Sequence, residues 1–151
     1  MTVKDVMSQK VVTIGPSDTC LEAVGRMHRS GVRHLPVVNR EGRLCGIITD
    51  RDLRHYLFSP SVFPVVGMTS TDTLLKAAVV SDLMVADVVT VGPDEPLGEA
   101  ARAMLERKVG SLPVVADGRV VGILTETDML RLIVRSNVGA PECAEIIVAY
   151  P

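Results

Sequence analysis

The sequence predicts an α/β fold, an α+β sandwich made of two β-α-β-β-α repeats packed about a pseudo-twofold axis. Three observations carry this. Residues 3–57 align with residues 80–133 at an offset of 77 that becomes 76 after one residue is lost before Gly118, with 22 identities in 54 aligned positions. Each copy holds two β-branched runs joined across a Gly turn, which reads as a hairpin. Between strands, each copy carries an apolar stripe of helical period. Two copies with one linker do not make a solenoid, so a face-to-face pair is expected.

The elements follow in order. VVT at 11–13 and again at 88–90 is a short β-branched run stopped by Gly-Pro, predicting a strand and a turn. Ser17 or Asp18, and Asp94 or Glu95, are candidate caps for the next helix. Along that helix Cys20, Ala23, Val24 and Met27 share one face, matched by Leu97, Ala100, Ala101 and Met104. HLPVV and SLPVV then turn at Glu41-Gly42 and Asp117-Gly118 into RLCGII and RVVGIL. A second helix starts after Thr49 and Thr125. The division is a first repeat at 1–57, a linker at 58–79, a second repeat at 80–135 and a tail at 136–151. Each repeat is too small to be stable alone. The linker holds Pro60, Pro64 and Gly67, and its TDTLLKAAVVSDLM stretch can form a helix. It serves as a lid over a cleft or merely spans a distance. The tail's IIVAY adds an edge strand, covers a partner or stays disordered.

Composition narrows the function. With 16 basic and 18 acidic residues spread along 151, there is no basic block to hold nucleic acid. No apolar run approaches a membrane span, and the first ten residues are too polar for a signal peptide. A soluble cytoplasmic protein is expected. Cys20, Cys45 and Cys143 share no metal or disulfide spacing; the first two fall at apolar positions, and Cys143 is exposed and oxidisable. No acid/base carboxylate pair, Ser-His-Asp order or phosphate loop is present, so a non-catalytic protein without a catalytic cofactor is expected.

The question is set by GIITDRDL at 46–53 and GILTETDM at 122–129. Thr-x-x-Asp after a strand has three readings. It approximates a capping box. The Asp50-Arg51-Asp52 triplet is a possible metal ligand, although an arginine intervenes and no further ligands are near. Finally, a carboxylate beside a helix N-terminus suits a ribose diol, with a hydroxyl and an arginine suited to phosphate.

The order VxTxxP, LEAxxxM, LPVV and GxxxGIITxRDL resembles the cystathionine β-synthase (CBS) domain, here as a tandem pair or Bateman module. The resemblance implies two clefts between the repeats that take AMP, ADP, ATP or S-adenosylmethionine. It implies that Asp52 and Thr49 serve one cleft, Asp128 and Thr125 the other. Thr13 and Thr90 would line them from the opposite side. Arg33, His34 and Arg51 stand where the second copy has Gly110, Ser111 and Thr127, so the Asp52 cleft is expected to be the stronger phosphate site. A homodimer is also implied, through helix faces holding Leu53, Leu57, Met129 and Ile133, with core packing as the rival reading of those residues. The output would lie in a separate effector protein. The alternative is a ligand-free structural or interaction module whose Thr-x-x-Asp only caps helices; redox sensing through Cys143 is a third.

Overall fold

The computed structural model describes residues 1–136; the IIVAY stretch and Cys143 lie outside them. A 3-10 turn at Val3–Asp5 is followed by α1 (Cys20–Ser30), β1 (His34–Val38), β2 (Leu44–Thr49) and α2 (Asp50–Leu57). The linker forms α3 (Phe63–Val66) and α4 (Thr71–Ala77). Then come α5 (Val80–Leu83), α6 (Leu97–Arg107), β3 (Ser111–Ala116), β4 (Arg119–Thr125) and α7 (Glu126–Arg135). The two hairpins are separate two-stranded antiparallel sheets. Their turns need Gly42 and Gly118, which sit at φ +78° and +74°.

Residues 11–13 and 88–90 are not strands. Each lead to the sheet is a single parallel bridge, Ile14 to Val37 and Val91 to Val114. The Ile14 amide donates to the Pro36 carbonyl at 3.1 Å, and the Val38 amide donates to the Ile14 carbonyl at 2.9 Å. Extending this ladder backward needs an N–H at Pro36, and extending it forward needs one at Pro16. Neither proline has one. Pro113 and Pro93 stop the second copy the same way.

The caps of the first helices also differ from expectation. Thr19 caps α1, its hydroxyl accepting from the Glu22 amide at 3.2 Å, and Pro96 precedes α6 without a side-chain bond. Asp18 and Glu95 close the Gly-Pro turns instead, accepting from the Gly15 and Gly92 amides at 3.0 and 2.8 Å. On the predicted stripes Cys20, Ala23, Met27, Leu97, Ala100 and Met104 are buried, whereas Val24 reaches solvent.

The lead-in segments are exchanged between repeats. Val3 is fully buried in the second core, with Val6 and Met7 against it. Its counterpart Val80 is fully buried in the first core, beside Leu83 and Met84. The bridges come in equivalent pairs: Thr2 to Pro96 answers Thr19 to Val79, and Ser8 to Ile123 answers Ile47 to Val85. Arg43 bridges its own counterpart, Arg119, so the pseudo-twofold passes between them. Each core is thus completed by the other copy, which is how two repeats below the size of a stable domain form one folded unit.

Helix α4 packs on α1 and buries Leu75 in the first core. No residue of 58–79 lines either cleft described below. Of the helix-face residues, Leu53 is core, Leu57 and Met129 pack against the cores, and Ile133 is exposed beside Leu130 and Val134. Among the described residues no helix is long and apolar enough to cross a membrane.

Candidate functional site

Hairpin register builds the site. It pairs His34 with Thr49 and Ser111 with Thr125, so each strand start lies beside the Thr-x-x-Asp that follows its partner strand. The Asp50 amide donates to the Arg33 carbonyl and the Glu126 amide to the Gly110 carbonyl, both at 3.1 Å.

Both motifs are capping boxes. The Thr49 amide and hydroxyl donate to Asp52 Oδ2 at 2.8 and 2.7 Å, and the Asp52 amide donates back to Thr49 Oγ1 at 3.3 Å. In the second copy the corresponding distances are 2.9, 2.6 and 3.3 Å. Two donors fill the lone pairs of Oδ2. Oδ1 is the carboxylate oxygen that carries no capping bond. In Asp52 it accepts no bond from the described residues. In Asp128, only 8% exposed, it faces the Arg131 Nη1 at 3.4 Å. Asp50 pairs with Arg54 at 3.0 Å. Among the described residues no three His, Cys, Asp or Glu side chains come together as a metal site would need.

The boxes edge two related clefts, each walled by both repeats because the lead-in segments are exchanged. The first has a volume of about 340 Å³, at the lower end of the ~300–1,000 Å³ range of small-molecule sites. Thr49, Arg51 and Asp52 face Val85, Val88 and Val89 across it, with Lys108, Gly110 and Ser111 closing one side. The second, about 170 Å³, sets Thr125, Thr127 and Asp128 opposite Ser8, Lys10, Val11 and Val12.

The structure places two sets of the expected residues differently. Thr13 and Thr90 line neither cleft: Val12 and Ile14 pack on the first core, leaving Thr13 between them half-exposed with its carbonyl accepting from Arg26 at 2.7 Å. Val89 and Val91 turn Thr90 outward in the same way. Arg33 and His34 do not belong to the Asp52 cleft alone but stand on the boundary and line both. Arg51 does line the first cleft only. The sequence reading missed Lys10, Lys108 and Arg131, which come from segments whose cleft is decided by the exchange. The signal available was the reversal of Lys10 to Asp87 at equivalent positions.

Burial pushes the pKa of His34 below its ordinary value and Arg33 adds to the effect, while Asp50, Glu126 and Asp52 oppose it. Gly110 leaves room between the two copies: a Cβ there would lie 3.3 Å from Glu126 Oε2 and 3.5 Å from His34 Nε2.

Comparison with known proteins bears on this arrangement. The CBS domain profile matches residues 3–59 and 80–135. A CBS domain-containing protein of Dictyostelium discoideum is 37% identical over 136 residues, spanning 88% of this chain and 91% of that protein. A homoserine O-acetyltransferase of Methanococcoides burtonii is 35% identical over 133 residues, 87% of this chain but only 24% of the enzyme. Among solved structures, the CBS domain pair of protein MJ0100 in complex with 5′-methylthioadenosine and S-adenosyl-L-methionine superposes with a TM-score of 0.72 at 28% identity, covering 90% of this chain and 98% of that one. CBSX2 in complex with AMP, a CBS-pair protein from Arabidopsis thaliana, gives a TM-score of 0.72 at 32% identity, again covering 90% and 98%. The exchanged, doubled fold and these matches agree: the chain belongs to the CBS domain family, as a tandem pair.

Proposed function

We propose that the protein is a non-catalytic regulatory module that binds an adenosyl ligand (AMP, ADP, ATP or S-adenosylmethionine) in the clefts between its repeats and passes the bound state to a separate effector protein. The observation that carries this is the first cleft: open, of small-molecule volume, and edged by a Thr49–Asp52 box whose Oδ1 is left to accept a hydroxyl. The adenosyl ligands held by the two related structures support the choice of ligand. Asp52, Thr49 and Arg51 serve the first cleft, Asp128 and Thr125 the second, and Arg33 and His34 both. A ligand that fits one packing of the repeats better than another shifts their balance, which is how a module without chemistry regulates. The chain pairs as a homodimer through exposed helix faces, where Leu105, Leu130, Ile133 and Val134 reach solvent.

Thermal unfolding with AMP, ATP and S-adenosylmethionine tests the reading. A bound ligand at a hundred times its Kd stabilises by about 2.7 kcal/mol. Val85→Trp, at an exposed wall position, fills the first cleft without replacing a capping residue and should lower the rise that this cleft contributes. No rise with any ligand in the wild type favours the alternative, a ligand-free interaction module.

A further inference from the structure

We propose that the two clefts divide their ligands by charge, the Asp128 cleft seating a phosphate chain and the Asp52 cleft taking an adenosyl group that lacks one. The proposal rests on the nucleotide-binding reading and reverses the ranking that the sequence suggested.

The clefts are built from equivalent positions, yet their charges differ. In the first, Arg33, Arg51, Arg54 and Lys108 share the space with four carboxylates, those of Asp50, Asp52, Asp87 and Glu126. Arg54 is already paired with Asp50. In the second, Lys10, Arg33 and Arg131 face one carboxylate, Asp128, whose Oδ2 is held by Thr125. The largest single difference is a reversal at one equivalent position: Lys10 lines the second cleft where Asp87 lines the first. A phosphate brought into the first cleft approaches fixed negative charge from several sides; in the second it meets mainly cations.

Room for a chain of phosphates also lies on the second side. An adjoining cavity of about 250 Å³ shares Ser8, Asp128 and Arg131 with the second cleft and adds Arg135. Its one further carboxylate, Asp5, is engaged by the Thr2 amide and hydroxyl at 2.7 and 3.0 Å. Lys10, Arg131 and Arg135 are spread along the two spaces. Among the described residues Lys10 and Arg135 make no ion pair and Arg131 pairs with Asp128 Oδ1 at 3.4 Å; Arg51 and Lys108 of the first cleft make none either, so the contrast between the clefts rests on the excess of carboxylates in the first.

Inorganic pyrophosphate separates this assignment from nucleoside recognition, because it carries the charge without the base or the sugar. Titrated into the 15N-labelled protein, it should shift the amides of Lys10, Val11, Thr127 and Arg131 and leave those of Arg51, Asp87 and Lys108 in place. The exposed-site variant Lys10→Asp should weaken pyrophosphate about tenfold, and Asp87→Lys should create shifts at the first-cleft amides. Wild-type shifts centred on Arg51 and Lys108, an unchanged affinity in Lys10→Asp, or no shift at millimolar pyrophosphate would each overturn the proposal. Adenosine is titrated in parallel. If pyrophosphate binds at Lys10 while adenosine binds nowhere, the phosphate seat stands and the adenosyl reading falls.

Discussion

Alanine at Asp52 removes more than a candidate ligand contact. Its Oδ2 holds the Thr49 amide at 2.8 Å and the Thr49 hydroxyl at 2.7 Å, and places a negative charge in the first turn of α2. Losing this half of the box, while the residue-52 amide still donates to Thr49 Oγ1, costs about 0.5–1.5 kcal/mol, and loss of the charge at the positive end of the helix about 0.3–1 kcal/mol. Together the variant should lose about 2 kcal/mol with no ligand present, or about 4–8 °C in Tm for a domain of this size. Asp128→Ala should lose more, because Asp128 is buried and also faces Arg131. The assay is thermal and urea unfolding of both variants without nucleotide, then with it. A role in binding shows only as a smaller ligand-induced rise on top of this fixed loss. An apo Tm within about 1 °C of wild type for both variants would refute the capping account.

Other consequences follow from packing and protonation. A Cβ on Gly46 would stand 2.5 Å from Met84 Sδ and 3.0 Å from the Val85 carbonyl, whereas the three atoms nearest one on Gly122 all belong to the flexible Met7 side chain. Gly46→Ala should therefore destabilise by about 1–3 kcal/mol and Gly122→Ala by less, as read from urea midpoints. Deleting residues 1–8 strips Val3 from the second core, so amide exchange should quicken in α6 before α1. His34 has a folded pKa below its ordinary 6.5, so its contribution to stability is complete above that pH and shrinks as pH falls towards the depressed value. His34→Gln should flatten that slope. An anionic ligand near His34 raises its pKa, and calorimetry near pH 6 in buffers of unlike ionisation heat should show proton uptake that His34→Gln reduces. The thiol of Cys20 is fully buried and pushed up to about 11, first by burial and then by Asp82. Peptide mass spectrometry after alkylation of the native protein should find Cys20 unmodified.

Much of this architecture was legible because it rests on local chemistry written twice. The hairpins follow from Gly42 and Gly118, and the starts of α2 and α7 from Thr49 and Thr125. The exchange of lead-in segments was not legible: VKDVM and VSDLM offer nearly the same apolar side chains, so either core accepts either segment by pattern alone. That exchange decides which cations face which motif, and it moved Arg33 and His34 to a shared wall. The one-residue bridges at Ile14 and Val91 were readable in principle. Pro16, Pro36, Pro93 and Pro113 each lack the N–H that a longer ladder needs, a count that β-branched periodicity does not make.

The most direct measurement is of nuclear Overhauser effects between a bound adenine ring and labelled methyl groups of the protein. Saturable contacts from the ring to methyls of Ile47, Val85 or Val89, or of Val12, Val32 or Ile123, would place an adenosyl ligand between the repeats as proposed. If millimolar AMP, ATP and S-adenosylmethionine all leave those methyls untouched, the clefts are not adenosyl sites and the doubled fold serves as a scaffold.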